Sequence, residues 1–210
     1  MITIKTKYPV AYDSKDHINP YGCVRDSNTN KNYIEEVIKY FGKRNIKVLD
    51  IGCAGGQLII DHHNRGDLAV GIEGSSHSLL GAGANNWMVY RDKNLFLCDA
   101  SRPYQILKDE SPLKFDYIQC WEVLEHIPTE RLHMYLTNVK NHLENSGIFC
   151  GSISQVDCSS ETHVSILPKE RWITIFNDAG LTMEEYKFTH RLRNENQALF
   201  FKSTHLKEIE

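Results

Sequence analysis

The chain has 210 residues, 41% of them hydrophobic, enough to bury one substantial core and short for two. Its 24 basic and 27 acidic side chains leave a formal net charge of -3, so bulk electrostatics give no reason to expect a nucleic acid or an anionic membrane as partner. Six cysteines, at 23, 53, 98, 120, 150 and 158, form no CxxC pair and read as reduced, packed thiols; without an apolar leader in "MITIKTKYPV" or a run of ~18 apolar residues, a soluble cytoplasmic protein is expected.

Residues 1–30 are polar and broken by Pro9, Pro20 and Gly22, and read as an arm packing over the cleft of a domain formed by 31–210. A helical period then begins, with Ile34, Val37, Ile38 and Phe41 on one face and Gly42 as its stop. Short apolar runs follow in alternation with helical segments: "IKVLDI" (46–51), "LAVGIE" (68–73), "NLFLCD" (94–99), "FDYIQC" (115–120) and "IFCGSI" (148–153). Such alternation predicts a parallel α/β sheet. The connection near 102–108 is expected to be a short, irregular helix. A clearer helix is predicted over 129–143 behind Pro128, and another opens at Pro168 and ends at Gly180. Two last strands flank the polar "HRLRNENQ" and are expected to be antiparallel. The expected fold is a Rossmann-like, seven-stranded, mostly parallel sheet with helices on both faces and an antiparallel C-terminal strand.

In such a sheet the ligand sits at the carboxyl ends of the strands. The loop Gly52, Cys53, Ala54, Gly55, Gly56 occupies that place, and the helix beginning at Gln57 offers free N–H groups. Glu73 ends the second strand, where a carboxylate can accept two ribose hydroxyls, and Asp99 ends the third, beside the position of an adenine amino group. A dinucleotide loop would read GxGxxG and face a pyrophosphate; here Asp50 precedes the loop, and its charge repels a pyrophosphate but attracts an ammonium or sulfonium. The charge logic favours S-adenosylmethionine, with S-adenosylhomocysteine as product. A nucleotide-cofactor oxidoreductase and a non-catalytic binding protein of the same fold are the alternatives.

"VLDIGCAGGQL", "GIEGS", "LFLCDAS", "FDYIQCWEVLEHIP" and "LENSGIFCGSIS" together resemble the class I S-adenosylmethionine-dependent methyltransferases, in particular the broad type 11/type 23 group, in order from about residue 32 to 202. The resemblance implies that Asp50 and the Gly52–Gly56 backbone hold the amino-acid end of the cofactor. It further implies that Glu73, with Gly74 and Ser75 after it, holds the ribose, and Asp99 with Ala100 the adenine. Cys120 and Trp121 would lie beside the sulfonium and methyl. The departure is Ala54, where the family has glycine: harmless at a negative φ, a steric problem at a positive one.

Methyl transfer to an alcohol needs a group that takes the departing proton. His163 in "SSETHVSILPKERW" is the first candidate base, and Glu122 in "CWEVLEHIP" can orient an acceptor or neutralise charge. Tyr21 and His126 are assigned to the acceptor pocket, although Glu125 and His126 also read as the start of the next helix. Asp61, His62 and His63 read as a solvated helix face. No pair of oxygen ligands stands out in "QCWEVLEH", so no metal is expected. The function expected is methyl transfer to a small-molecule acceptor, with an O-methyltransferase of a sugar or other biosynthetic metabolite as the first reading.

Overall fold

The computed structural model describes residues 1–156, 161–186 and 198–206. Its main sheet has seven strands: β2 (Lys47–Ile51), β3 (Leu68–Glu73), β4 (Leu95–Leu97), β7 (Phe115–Trp121), β8 (Leu143–Ser154), β9 (Glu184–Glu185) and β10 (Ala198–Ser203). They lie in the order β4-β3-β2-β7-β8-β10-β9. The first five in this order are parallel, β10 runs antiparallel to β8, and β9 antiparallel to β10. This is the architecture expected; the polar link 190–197 lies outside the described residues, as does Cys158. The other five cysteines are free and buried.

The strands read as unbroken apolar runs because both faces of the sheet are covered. Alternate residues of β2 and β7 enter two separate cores. Leu49, Ile51, Ile118 and Cys120 join one with Tyr135, Trp172 and Phe176, whereas Val48, Tyr117 and Trp121 join the other with Tyr33, Ile34 and Trp87. Seven helices accompany the described strands: α1 (Lys15–Ile18), α2 (Gly22–Arg25), α3 (Lys31–Phe41), α4 (Gln57–Asn64), α5 (Ala84–Tyr90), α6 (Thr129–His142) and α7 (Lys169–Asp178). α3 is set by local chemistry: the Asn30 side chain accepts from Tyr33 N, and Gly42 closes the helix at φ 60° with its N–H on Ile38 O.

Two expectations are corrected. The segment near 102–108 is a strand, β5 (Tyr104–Lys108), antiparallel to β1 (Ile2–Thr6) on one side and to β6 (Ser111–Pro112) on the other, in a second, three-stranded sheet. "ITIKT" alternates like a strand, but its partner lies about a hundred residues away, beyond the reach of a local pattern. His62 is fully buried: its Nδ1 lies 2.8 Å from Asp67 Oδ2, and Asp67 Oδ1 accepts from Ile46 N at 3.1 Å. This pair ties the end of α4 to the entrance of β2, while His63 alone of the three stays exposed.

Candidate active site

A cavity of about 570 Å³ opens at the carboxyl ends of β2, β3 and β7, beneath residues 11–26. A smaller one of about 70 Å³ adjoins it and shares Gly52, Ala54, Asp26 and Trp121. Gly52, Ala54, Glu73, Gly74, Ser75, Asp99 and Ala100 line the larger cavity, and Asp50 and Cys53 the smaller. Gly55 and Gly56 stand behind the loop. Gly55 donates its N–H to Asp26 O at 2.9 Å, and Gly56, at φ 75°, turns the chain into α4.

The loop is held by its shape. Gly52 sits at φ 80°, and a Cβ there would lie 2.4 Å from Val123 Cγ2. Ala54 adopts φ 45°, the left-handed region that costs an L-residue about 1 kcal/mol. The substitution in this loop therefore takes the unfavourable of its two possible conformations. Two bonds retain it: Ala54 N donates to Glu73 Oε2 at 2.9 Å, and Trp87 Nε1 donates to Ala54 O at 2.8 Å.

Glu73 Oε1 accepts from Ser75 N at 2.8 Å, so the end of β3 is stitched both to its own turn and to the loop after β2. Burial pushes the Glu73 carboxyl up to about 7, against the pull of the backbone bonds from Ser75 and Ala54. Asp50 is likewise raised to about 7 by burial, partly offset by the Gln119 side chain beside it. Asp99 closes the third turn, accepting at Oδ1 from Ser101 N (2.9 Å) and Ser101 Oγ (2.6 Å).

The remaining wall is polar. Glu122, at φ 56°, accepts from Ser152 Oγ at 2.6 Å. His126 Nδ1 lies 3.0 Å from Thr162 O, and His163 Nδ1 lies 2.7 Å from Val156 O. The two imidazole rings meet edge to face, 4.9 Å apart. Burial holds the pKa of His126 below the usual imidazole value, Asp16 opposing and His163 reinforcing the shift. Tyr21 borders the cavity from the arm, with the Arg25 guanidinium 4.3 Å over its ring.

Thus the structure gathers His163, Glu122, His126, Tyr21, Trp121 and most of the cofactor residues around two adjoining cavities. Cys120, like Gly55 and Gly56, lines neither of them. It belongs to β7, is fully buried, and packs in the core that also holds Tyr135. Side chains alternate along a strand, so only Trp121 of this pair reaches the cavity. Sequence reasoning missed Asp26, Ser101, Val123 and Arg131, which also line it. Arg131 was legible only as a first-turn residue of α6. Its guanidinium makes two bonds to Asp13 of the arm, at 3.1 and 2.6 Å. Glu125, read from the sequence as a helix start, lies instead in a short turn ahead of α6: it is fully buried, and its Oε1 accepts from Ser154 N at 2.9 Å.

The family model described as a methyltransferase domain matches residues 26–186. Among curated relatives, a ubiquinone biosynthesis O-methyltransferase of Glaesserella parasuis serovar 5 is 32% identical over 130 residues, covering 60% of this chain and 51% of its own length. The chain thus spans about half the length of that relative. Among solved structures, the CcbJ methyltransferase of Streptomyces caelestis superposes with a TM-score of 0.64 at 11% identity, covering 95% of this chain and 99% of its own. The 1,6-didemethyltoxoflavin-N1-methyltransferase of Burkholderia thailandensis, solved with bound 1,6-didemethyltoxoflavin and S-adenosylhomocysteine, gives 0.61 at 15% identity, covering 93% of this chain and 84% of its own. These likenesses establish the fold around the loop, and the match over 26–186 places the chain in the methyltransferase-domain family, with the class I S-adenosylmethionine-dependent architecture expected from its sequence.

Proposed function

We propose that the chain transfers a methyl group from S-adenosylmethionine to an oxygen of a small-molecule acceptor held in the same cavity. One observation carries the cofactor half of this reading. Asp50 and Glu73, on adjacent strands and flanking one glycine-rich loop, are both raised to about 7 by burial. A ligand bringing an ammonium to Asp50 and hydroxyls to Glu73 relieves that desolvation; the amino-acid end and the ribose of the cofactor do so. Asp99, Ala100 and Ser101 flank the adenine end, and Trp121 closes the floor. When bound, the cofactor supplies a methyl group already activated by positive sulfur.

The chain's own contribution is then alignment, exclusion of water and handling of the acceptor's proton. Residues 1–30 act as an arm over the cleft: Ala11 N bonds Gly74 O at 2.8 Å, Tyr8 O accepts from Asp99 N at 2.9 Å, and Asp13 pairs with Arg131 on the far side. A carbonyl can only accept, so Nδ1 of His163 carries a proton and its Nε2 lone pair is the group able to take one. Glu122, on the wall of the same cavity, is the orienter. The curated relatives, named as O-methyltransferases of ubiquinone biosynthesis, support oxygen as the atom methylated. Calorimetry with S-adenosylhomocysteine tests the reading: micromolar binding, lost in Asp50→Ala and Glu73→Ala, is expected. Binding of NAD(H) in its place would refute it.

A further inference from the structure

We propose that Gln119, inside β7, is a positioning residue of the cofactor site: its buried side-chain amide donates a hydrogen bond to the Asp50 carboxylate and holds it charged and turned toward the ligand's ammonium. Gln119 is fully buried, and its Nε2 has no acceptor within bonding distance. A buried amide N–H left without an acceptor is costly, so its place in the middle of the sheet calls for a reason.

The register of the sheet supplies that reason. β2 and β7 pair Val48 with Tyr117 and Asp50 with Gln119. Side chains alternate along a strand, so Asp50 and Gln119 emerge next to each other on the face that Val48 and Tyr117 share. On its other side Gln119 is paired with Cys150 of β8. Of the two residues paired with it, Asp50 alone offers a strong acceptor. The far end of the amide is anchored: Tyr33 Oη of α3 donates to Gln119 Oε1 at 2.9 Å, and Tyr33 Oη in turn meets Tyr117 Oη. This fixes the carbonyl toward α3 and leaves the NH2 group for Asp50. The reverse orientation would set two acceptors against each other once Asp50 is ionised.

The surroundings of Asp50 otherwise disfavour its charge. Burial is the largest cause of its rise to about 7, the acids Glu73 of β3 and Asp26 of the arm add to it, and Gln119 opposes them. Cys53 of the loop, Cys120 of β7, Tyr33 of α3 and Tyr135 of α6 also act on or feel Asp50, and burial keeps each of them neutral. Among the described groups acting on Asp50, only Gln119 favours the ionised carboxylate. A ligand ammonium that ionises Asp50 therefore gives the orphan amide its acceptor in the same step, and the chain Tyr117–Tyr33–Gln119 ties α3 to the ligand. The ligand half of this inference rests on the proposed cofactor reading; the link between Gln119 and Asp50 does not.

The test follows the Asp50 carboxyl carbon by NMR titration of the ligand-free full chain, its signal assigned by its loss in Asp50→Asn, and S-adenosylhomocysteine affinity by calorimetry at about pH 7 and about pH 9. Gln119→Met keeps the volume and removes the amide. The Asp50 midpoint should rise by about one unit or more, what loss of a hydrogen bond to a charged group is worth. A rise of about one unit from about 7 weakens the apparent Kd about fivefold at pH 7 and less than about twofold at pH 9. A merely structural role would weaken binding alike at both. Tyr33→Phe removes the anchor and leaves the amide in place; it should raise the midpoint in the same direction by less. A Gln119→Met midpoint within about 0.3 unit of the parent, or an equal loss of affinity at both pH values, overturns the assignment. Should the methionine variant fail to fold, an unchanged midpoint in Tyr33→Phe overturns it instead. A parent chain that does not bind S-adenosylhomocysteine while the midpoint still moves removes the cofactor reading and leaves the link between Gln119 and Asp50 standing.

Discussion

Lowering the pH from 8 to 5 should weaken S-adenosylhomocysteine binding steeply, because the carboxylates proposed to receive it must be ionised. Asp50 is raised from 3.8 to about 7 and Glu73 from 4.5 to about 7, in both cases chiefly by burial. A ligand that binds only the ionised form has its apparent Kd multiplied by one plus ten to the power of seven minus pH. For one group this factor is about 1 at pH 8 and about 100 at pH 5, roughly 2.7 kcal/mol at 1.36 kcal/mol per unit. Two independent groups would give about 10⁴. Stability of the ligand-free fold runs the other way. A carboxyl raised in the folded state favours folding below its unfolded pKa and loses that contribution as pH rises through about 7. The melting point of the free protein should therefore fall between about pH 4 and 7 while the shift produced by ligand grows. Calorimetry in buffers of different ionisation enthalpy should also register proton release on binding near pH 6. A Kd that changes less than about threefold from pH 8 to 5 would refute the assignment of these two groups.

Gly52→Ala combines a positive φ with a Cβ 2.4 Å from Val123 Cγ2. It should cost about 2 kcal/mol or more in urea unfolding, and adding Val123→Ala should recover the steric share alone. Ala54→Gly should raise stability by up to about 1 kcal/mol by releasing the left-handed strain, less the entropy of glycine; a loss larger than that would show the φ of 45° to be unstrained. Asp67→Ala strips the buried His62 and Ile46 N of their acceptor and should cost about 1–3 kcal/mol, with S-adenosylhomocysteine affinity unchanged because the pair lies at the opposite end of β2.

The parallel strands were readable because each is buried on both faces and so appears as a continuous apolar run. Asp50, Glu73 and Asp99 were readable because strand ends are fixed by those runs. What the sequence hid was decided by partners far along the chain. β5 looks irregular until it is paired with β1, and His62 looks like a surface residue until Asp67 is folded back onto it. Cys120 and Trp121 could not be told apart without knowing which parity of β7 faces the cavity. Glu125 read as a helix start because its bonds to Ser154, Val164 and Ser165 join three separate segments. The φ of Ala54 was open for a related reason: it is fixed by Glu73 and Trp87, not by its neighbours.

The pairing of Ile4 with Ile106 also orders events in time. At about 5–20 residues per second, β1 leaves the ribosome roughly 5–20 s before β5 exists to receive it. For that interval the strand that anchors the arm has no partner, and the loops after β2 and β3 can form before the roof above them is tied down. The sheet beneath them closes later still, because β7, which pairs with β2 and carries Trp121 into the cavity, follows β5 in the chain, so ligand binding during synthesis would wait for both steps.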